Sequence, residues 1–311
     1  MAPLDFNAVL SRCELCPRRC GVNRLSGELG FCGAGKEAEI YRYAPHHGEE
    51  PPVSGCRGSG AVFFSRCALN CIYCQNHPWS QEGEGTKISA GSLAGVFAGL
   101  AECGCHNLNL VSPTPWLPMI LDAVKISKKS GKILPVVYNT SSYERVEILR
   151  ALEGNVDIYL ADLRYSEEKT AQAASSTNGY VKTARAAILE MWRQTGALEL
   201  TPEGIAVSGL ICRVLVLPGL AGEACASLRW LSENIGTNLA LSVMAQYTPA
   251  YKAVQLNGWN RKINYDEYRL VCREVEKCGF SNGWIQDYYD GKDKELIGFN
   301  MPAMGIVARE A

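Results

Sequence analysis

From Gly60 onward the apolar positions fall into short, nearly unbroken runs that alternate with longer stretches of helical periodicity. The runs near 61–65, 107–111, 133–138, 156–161, 210–216 and 240–246 predict strands. Their almost continuous apolar character is that of strands covered on both faces. The stretches 89–103, 117–130, 142–153, 177–195, 222–235 and 264–278 predict the helices between them. Six strand–helix units in series predict an α/β fold, a partial (β/α)6 barrel of the TIM type. The polar stretch 166–181 reads as a loop or short helix on the face where the strands end, and Trp284–Tyr289 as a last strand.

The first 58 residues have a different texture, with little periodicity and many cysteines. The chain therefore divides into a cysteine-rich, metal-binding extension over 1–58 and a barrel over 59–311. Of its 311 residues 47% are hydrophobic and 20% charged, the profile of an ordinary globular protein. A net charge of −1 gives no electrostatic reason to expect nucleic acid or an anionic membrane as partner. No apolar run approaches the roughly 18 residues of a membrane span, and the N-terminus lacks the pattern of a signal peptide. The expected location is the cytoplasm. There, 14 cysteines, eight of them within the first 74 residues, point to metal or redox chemistry rather than disulfides.

Cys67, Cys71 and Cys74 carry the strongest signal. They follow the apolar run Ala61–Phe64 with the spacing C-x3-C-x2-C, at the strand end that faces the active site in a β/α barrel. Three thiolates on one loop can hold three corners of a [4Fe-4S] cluster and leave the fourth iron open. A structural zinc site would close its shell with four ligands. A second group, Cys13, Cys16, Cys20 and Cys32, reads C-x2-C-x3-C-x11-C and supplies four thiolates. Either zinc or a second iron–sulfur cluster fits it, Cys56 could replace one ligand, and free thiols are the alternative. Such a staple would order a segment with so little apolar periodicity. Cys103, Cys105, Cys212, Cys225, Cys272 and Cys278 read as buried small hydrophobes. His46-His47, ahead of Glu49-Glu50, reads as a solvated, proline-containing loop; a place on the substrate side is the alternative.

The cluster loop, with Tyr73 in its aromatic slot, resembles that of radical S-adenosylmethionine (radical SAM) enzymes. The longer string Gly58–Phe64 followed by Cys74-Gln75-Asn76 resembles the pyruvate formate-lyase-activating-enzyme-like branch, and the likeness runs from about Cys13 to Tyr247. The resemblance implies an oxidoreductase that binds a [4Fe-4S] cluster and SAM. It would cleave SAM reductively to a 5′-deoxyadenosyl radical that takes hydrogen from an unidentified protein or small-molecule substrate. A low-potential electron donor of flavodoxin or ferredoxin type would be its partner.

The same resemblance suggests the SAM contacts. Tyr73 would lie beside adenine. Ser112, within Asn109–Pro115, stands where the family accepts the SAM ammonium group, and a plain strand-ending turn is the alternative. Asn139, in Tyr138-Asn139-Thr140, would meet the ribose or another part of SAM. Asp162 and Arg164 share one side of a strand end; the family carries lysine where this chain has Arg164, which keeps the charge and adds a bidentate grip, and a purely structural Asp–Arg pair is the alternative. Arg213, a charge in an apolar strand, needs a buried partner; related proteins have histidine where Val214 follows it. Gln246 would face the pocket. Ala68 also departs from the family, in which asparagine follows the first cluster cysteine. A zinc-binding adaptor without catalysis and a SAM-dependent methyltransferase are the rival readings.

Overall fold

The computed structural model describes residues 4–131 and 134–288. Ten strands are present among them: β1 (Ala38–His46), β2 (Ser59–Phe64), β3 (Thr86–Ile88), β4 (Leu108–Val111), β5 (Val136–Thr140), β6 (Ile158–Asp162), β7 (Glu199–Leu200), β8 (Ala206–Leu215), β9 (Ala240–Met244) and β10 (Gly283–Ile285). The sheet runs β10-β9-β8-β6-β5-β4-β2-β1-β3, with β7 hairpinned onto β8. From β2 to β10 every neighbouring pair is parallel, so the fold is an open α/β barrel of the expected kind. Every residue of β2, β4, β5 and β6 is buried, because helices cover one face and side chains fill the other.

The helices Ala90–Glu102, Leu117–Lys129, Tyr180–Thr195, Ala221–Asn234 and Tyr265–Cys278 lie where periodicity predicts them. The last is fixed at its start by a reciprocal capping box between Asn264 and Glu267. The expected helix 142–153 contracts to Val146–Arg150, since Ser142-Tyr143-Glu144 is drawn into the interior instead. β5 starts at Val136 and runs on to Thr140, so Asn139 lies within the strand rather than after it. Residue 133 of the expected strand, and Tyr289 of the expected last strand, fall outside the described residues.

The segment ahead of β2 differs most from expectation. Ala38–His46, read as irregular, is a nine-residue strand antiparallel to β2, and β3 pairs beyond it. Of the six cysteines expected as buried, Cys105, Cys212 and Cys225 are buried, Cys272 and Cys278 are half-buried, and Cys103 is exposed. Among the described residues no helix is long and apolar enough to cross a membrane.

Candidate functional site

The parallel register sets one level at the C-terminal rim of the sheet. Val111 pairs with Asn139, and Asp162 with Arg213, which in turn pairs with Ser242. The loop that leaves β2 folds over this rim and carries Cys67, Cys71 and Cys74. It starts at Arg66, a non-glycine residue at φ +71°, whose guanidinium bonds Glu39 at 2.9 Å. The left-handed turn throws the chain sharply across the barrel mouth.

The three thiols are held from below. Ser175, at the end of the helix Glu168–Ser175, donates to the Cys71 sulfur at 2.9 Å, and Arg164 Nη1 donates to it at 3.4 Å. The Ser80 hydroxyl meets the Cys74 sulfur at 3.2 Å. Burial, with Cys71 alongside, pushes the thiols of Cys67 up to about 12 and of Cys74 up to about 11. Such thiols shed their protons only when a positive centre compensates the charge. The expected polar stretch 166–181 thus contributes a helix end directly to the cysteine loop. Among the described residues, no group of three or more His, Cys, Asp or Glu side chains stands ready-gathered to hold a metal ion.

Beside the loop opens a cavity of about 190 Å³. Tyr73, Ser112, Asn139, Asp162, Arg164, Arg213 and Gln246, all expected at the site, line it together with Cys74. The two arginines form one ionic chain with the acids. Arg164 Nη2 meets Asp162 Oδ2 at 2.7 Å, and Arg213 Nε meets Asp162 Oδ1 at 2.7 Å. Burial alone would raise the Asp162 carboxyl, but Arg213 and Arg164 outweigh it and hold the group below its ordinary value. Arg213 Nη2 also donates to Asn139 Oδ1 at 2.7 Å. Asn139 therefore has its oxygen engaged and only its amide nitrogen left to offer.

Ser112 adopts φ +57°, which turns the chain at the end of β4, and its backbone N–H bonds Asn139 O at 3.0 Å. Tyr73 is more constrained than expected. Its hydroxyl lies 2.6 Å from that of Tyr165, and its ring is stacked on Trp259 at 5.6 Å. Gln246 accepts from Gln286 at 3.2 Å.

Glu49 is the residue that sequence reasoning missed. The end of β1 and the loop after it, expected as solvated, instead bury His46, Glu50 and the side chain of Glu49. Glu49 lies on the cavity floor, accepting from Asn109 at 2.9 Å and from Arg213 Nη1 at 3.2 Å. Burial raises its carboxyl despite Arg213. The one available signal was Arg213 itself, a buried cation with more donors than Asp162 could absorb.

The four N-terminal cysteines share one cavity without being drawn together into a ready ligand set. Cys13, Cys16, Cys20 and Cys32 line one small, apolar cavity whose outer wall includes Ala68 of the cysteine loop. Cys56 lies apart from them, exposed, with its sulfur 3.7 Å from His106 Nε2.

No protein-family model matches the chain. The uncharacterized protein MJ0674 of Methanocaldococcus jannaschii is 28% identical over 277 residues, covering 86% of this chain and 75% of that protein. The FeFe-hydrogenase maturase HydG from Carboxydothermus hydrogenoformans superposes with a TM-score of 0.50 at 14% identity, over 70% of this chain and 50% of HydG. Streptococcus suis SuiB bound to S-adenosylmethionine gives a TM-score of 0.47 at 13% identity, over 71% of this chain and 48% of SuiB. The chain spans about half the length of these solved structures. With HydG the chain shares the fold.

Proposed function

We propose that the chain is a radical SAM enzyme, with Cys67, Cys71 and Cys74 as ligands of a [4Fe-4S] cluster and SAM seated in the adjoining cavity. One observation carries the reading: three cysteines share a single loop at the end of β2, and the last of them, Cys74, lines a cavity walled by polar strand ends. The donor set fits the group. It supplies three sulfurs rather than four, and the Cys71 sulfur already receives hydrogen bonds from a hydroxyl and a guanidinium, the kind of support that steadies a ligating thiolate. When bound, the cluster supplies an electron from an external reductant to break a carbon–sulfur bond of SAM, giving methionine and a 5′-deoxyadenosyl radical that takes a hydrogen atom from substrate.

The protein's own share is positioning. Arg164 stands between Cys71 and Asp162, so its charge lies where a carboxylate bound at the cluster loop would be met. Asn139, with its oxygen held by Arg213, presents its N–H groups in a fixed direction. Tyr73 and Trp259 close the loop against water. The finer reading is an activating-enzyme-like oxidoreductase that takes hydrogen from a protein glycine, fed by a flavodoxin- or ferredoxin-type donor in the cytoplasm. It rests on the motif Gly58–Phe64 with Cys74-Gln75-Asn76.

The test is anaerobic reconstitution with iron and sulfide followed by reduction with dithionite in the presence of SAM. The expected products are 5′-deoxyadenosine and methionine, lost in Cys71→Ala by at least ~10³-fold, since the ligand set is then incomplete. S-adenosylhomocysteine as product would establish methyl transfer instead. A colourless protein that binds only zinc would leave the adaptor reading standing.

A further inference from the structure

We propose that Cys13, Cys16, Cys20 and Cys32 bind a single zinc ion, and that this ion fixes the cysteine loop of the barrel through Arg18. The size of the site selects the ion. The cavity that the four cysteines line with seven other residues is about 20 Å³, against about 190 Å³ in the main cavity. Roughly 10–15 Å³ holds one water-sized body, so the cavity admits a single ion without rearrangement, whereas a cubane of four irons and four sulfides would have to spread its walls. Four thiolates around one small ion is the closed shell of structural zinc.

The surroundings are built for negative sulfur. The Phe31 backbone N–H donates to the Cys20 sulfur at 3.4 Å. The backbone amides of Arg18 and Ala34, each two residues beyond a cysteine, face the sulfurs of Cys16 and Cys32. At Gly30 an added Cβ would lie 2.9 Å from both Cβ and Sγ of Cys20, so only glycine lets the second half of the motif pass that close to the first. Its other polar lining residues are turned elsewhere: the Thr114 hydroxyl donates to Glu144, and two arginines point away to bond backbone carbonyls.

Arg18 connects this site to the other. It lies between Cys16 and Cys20, and its Nε donates to Ala68 O at 2.6 Å while Nη2 donates to Ser176 O at 2.7 Å. Ala68 follows Cys67, and Ser176 follows the Ser175 that bonds Cys71. One guanidinium therefore ties down both segments that hold the barrel thiols, and the loop that carries it, from Cys13 to Cys20, is the one the ion would brace. Arg18 is a positioning residue, and this second limb rests on the proposed function, whereas the zinc site does not.

The test uses the full-length chain carrying Cys67→Ala, Cys71→Ala and Cys74→Ala, so that only the N-terminal group remains. Elemental analysis is expected to find one zinc per chain, with X-ray absorption showing four sulfurs at about 2.3 Å. Adding Cys16→Ser and Cys32→Ser should abolish it. Iron with inorganic sulfide at this site, or zinc that survives those two changes, would overturn the proposal. Should the triple variant prove insoluble, the wild-type chain purified anaerobically must show one zinc beside its iron, and its absence overturns the proposal equally. For the second limb, Arg18→Met should keep its zinc yet retain several-fold less iron after reconstitution. Undiminished iron in that variant would refute the coupling and leave the zinc count intact.

Discussion

Three hydroxyls, those of Thr114, Tyr138 and Thr140, converge on one oxygen of Glu144 at 2.6, 3.2 and 2.7 Å, while the other oxygen is buried without a partner. Burial raises this carboxyl to about 7, against the pull of the three hydrogen bonds. The folded-state value lies above the ordinary 4.5, so the stability this group contributes is complete below pH 4.5 and is lost as the pH rises through 7. Glu144→Gln keeps an acceptor for the hydroxyls and cannot ionise. It should exceed the wild type by about 3 kcal/mol at pH 8 and match it near pH 4.5, as read by urea unfolding. A difference independent of pH would refute the burial account. At this scale the sequence was legible where alternation acts. Asp162 and Arg164 fall on one side of a chain end because successive side chains alternate. Glu49 was not legible, because its burial follows from a strand that pairs only in three dimensions.

That strand shows why some elements escape a reading of pattern. Ala38–His46 carries Glu39, Arg42, Pro45 and His46, so it neither alternates cleanly nor forms an apolar run. Its polar members are satisfied by distant partners, Glu39 by Arg66 at 2.9 Å. The parallel strands were legible because burial on both faces demands continuous apolar character. The segment after β9 lies between these extremes. Tyr251–Gln255 forms a short 3₁₀ turn that crosses the cysteine loop, with Ala253 N–H bonding Ile72 O at 2.8 Å. Trp259 then stacks on Tyr73, and its carbonyl accepts from the Tyr247 hydroxyl at 2.6 Å. This strap holds the loop shut from outside. Trp259→Ala removes a stack worth about 1 kcal/mol, roughly five-fold in the population of an opened loop. The reconstituted variant should therefore lose its iron–sulfur absorbance in air about five-fold faster than the wild type, with its visible spectrum under argon unchanged. Equal bleaching rates would mean that the strap does not guard the loop.

On the scale of the whole molecule, the cysteine-rich segment is fastened to the barrel by guanidinium groups as well as by apolar packing, in which Leu10, Leu15 and Ala34 join the main core. Arg18 reaches Ala68 and Ser176, Arg145 bonds the Glu14 carbonyl, and Arg24 is 2% exposed with its donors on Gly35 O and Pro115 O. Each arginine reads in sequence as a surface charge, so the docking could not be foreseen although the cysteines could. Arg24 is the most buried of these ties, and its guanidinium also lies 5.4 Å from the Trp116 ring centroid. Arg24→Met keeps the apolar stem and strands two buried carbonyls, a loss of about 2–4 kcal/mol. The parallel ladder lies wholly within the barrel, so the loss should fall on the docked segment rather than on the whole fold. Limited trypsin treatment should then release the N-terminal 30 or so residues well before the barrel is cut, while the wild type resists at both places. If the variant were instead cleaved throughout at one rate, the segment and the barrel would unfold as a single unit, and Arg24 would be a keystone of the entire chain.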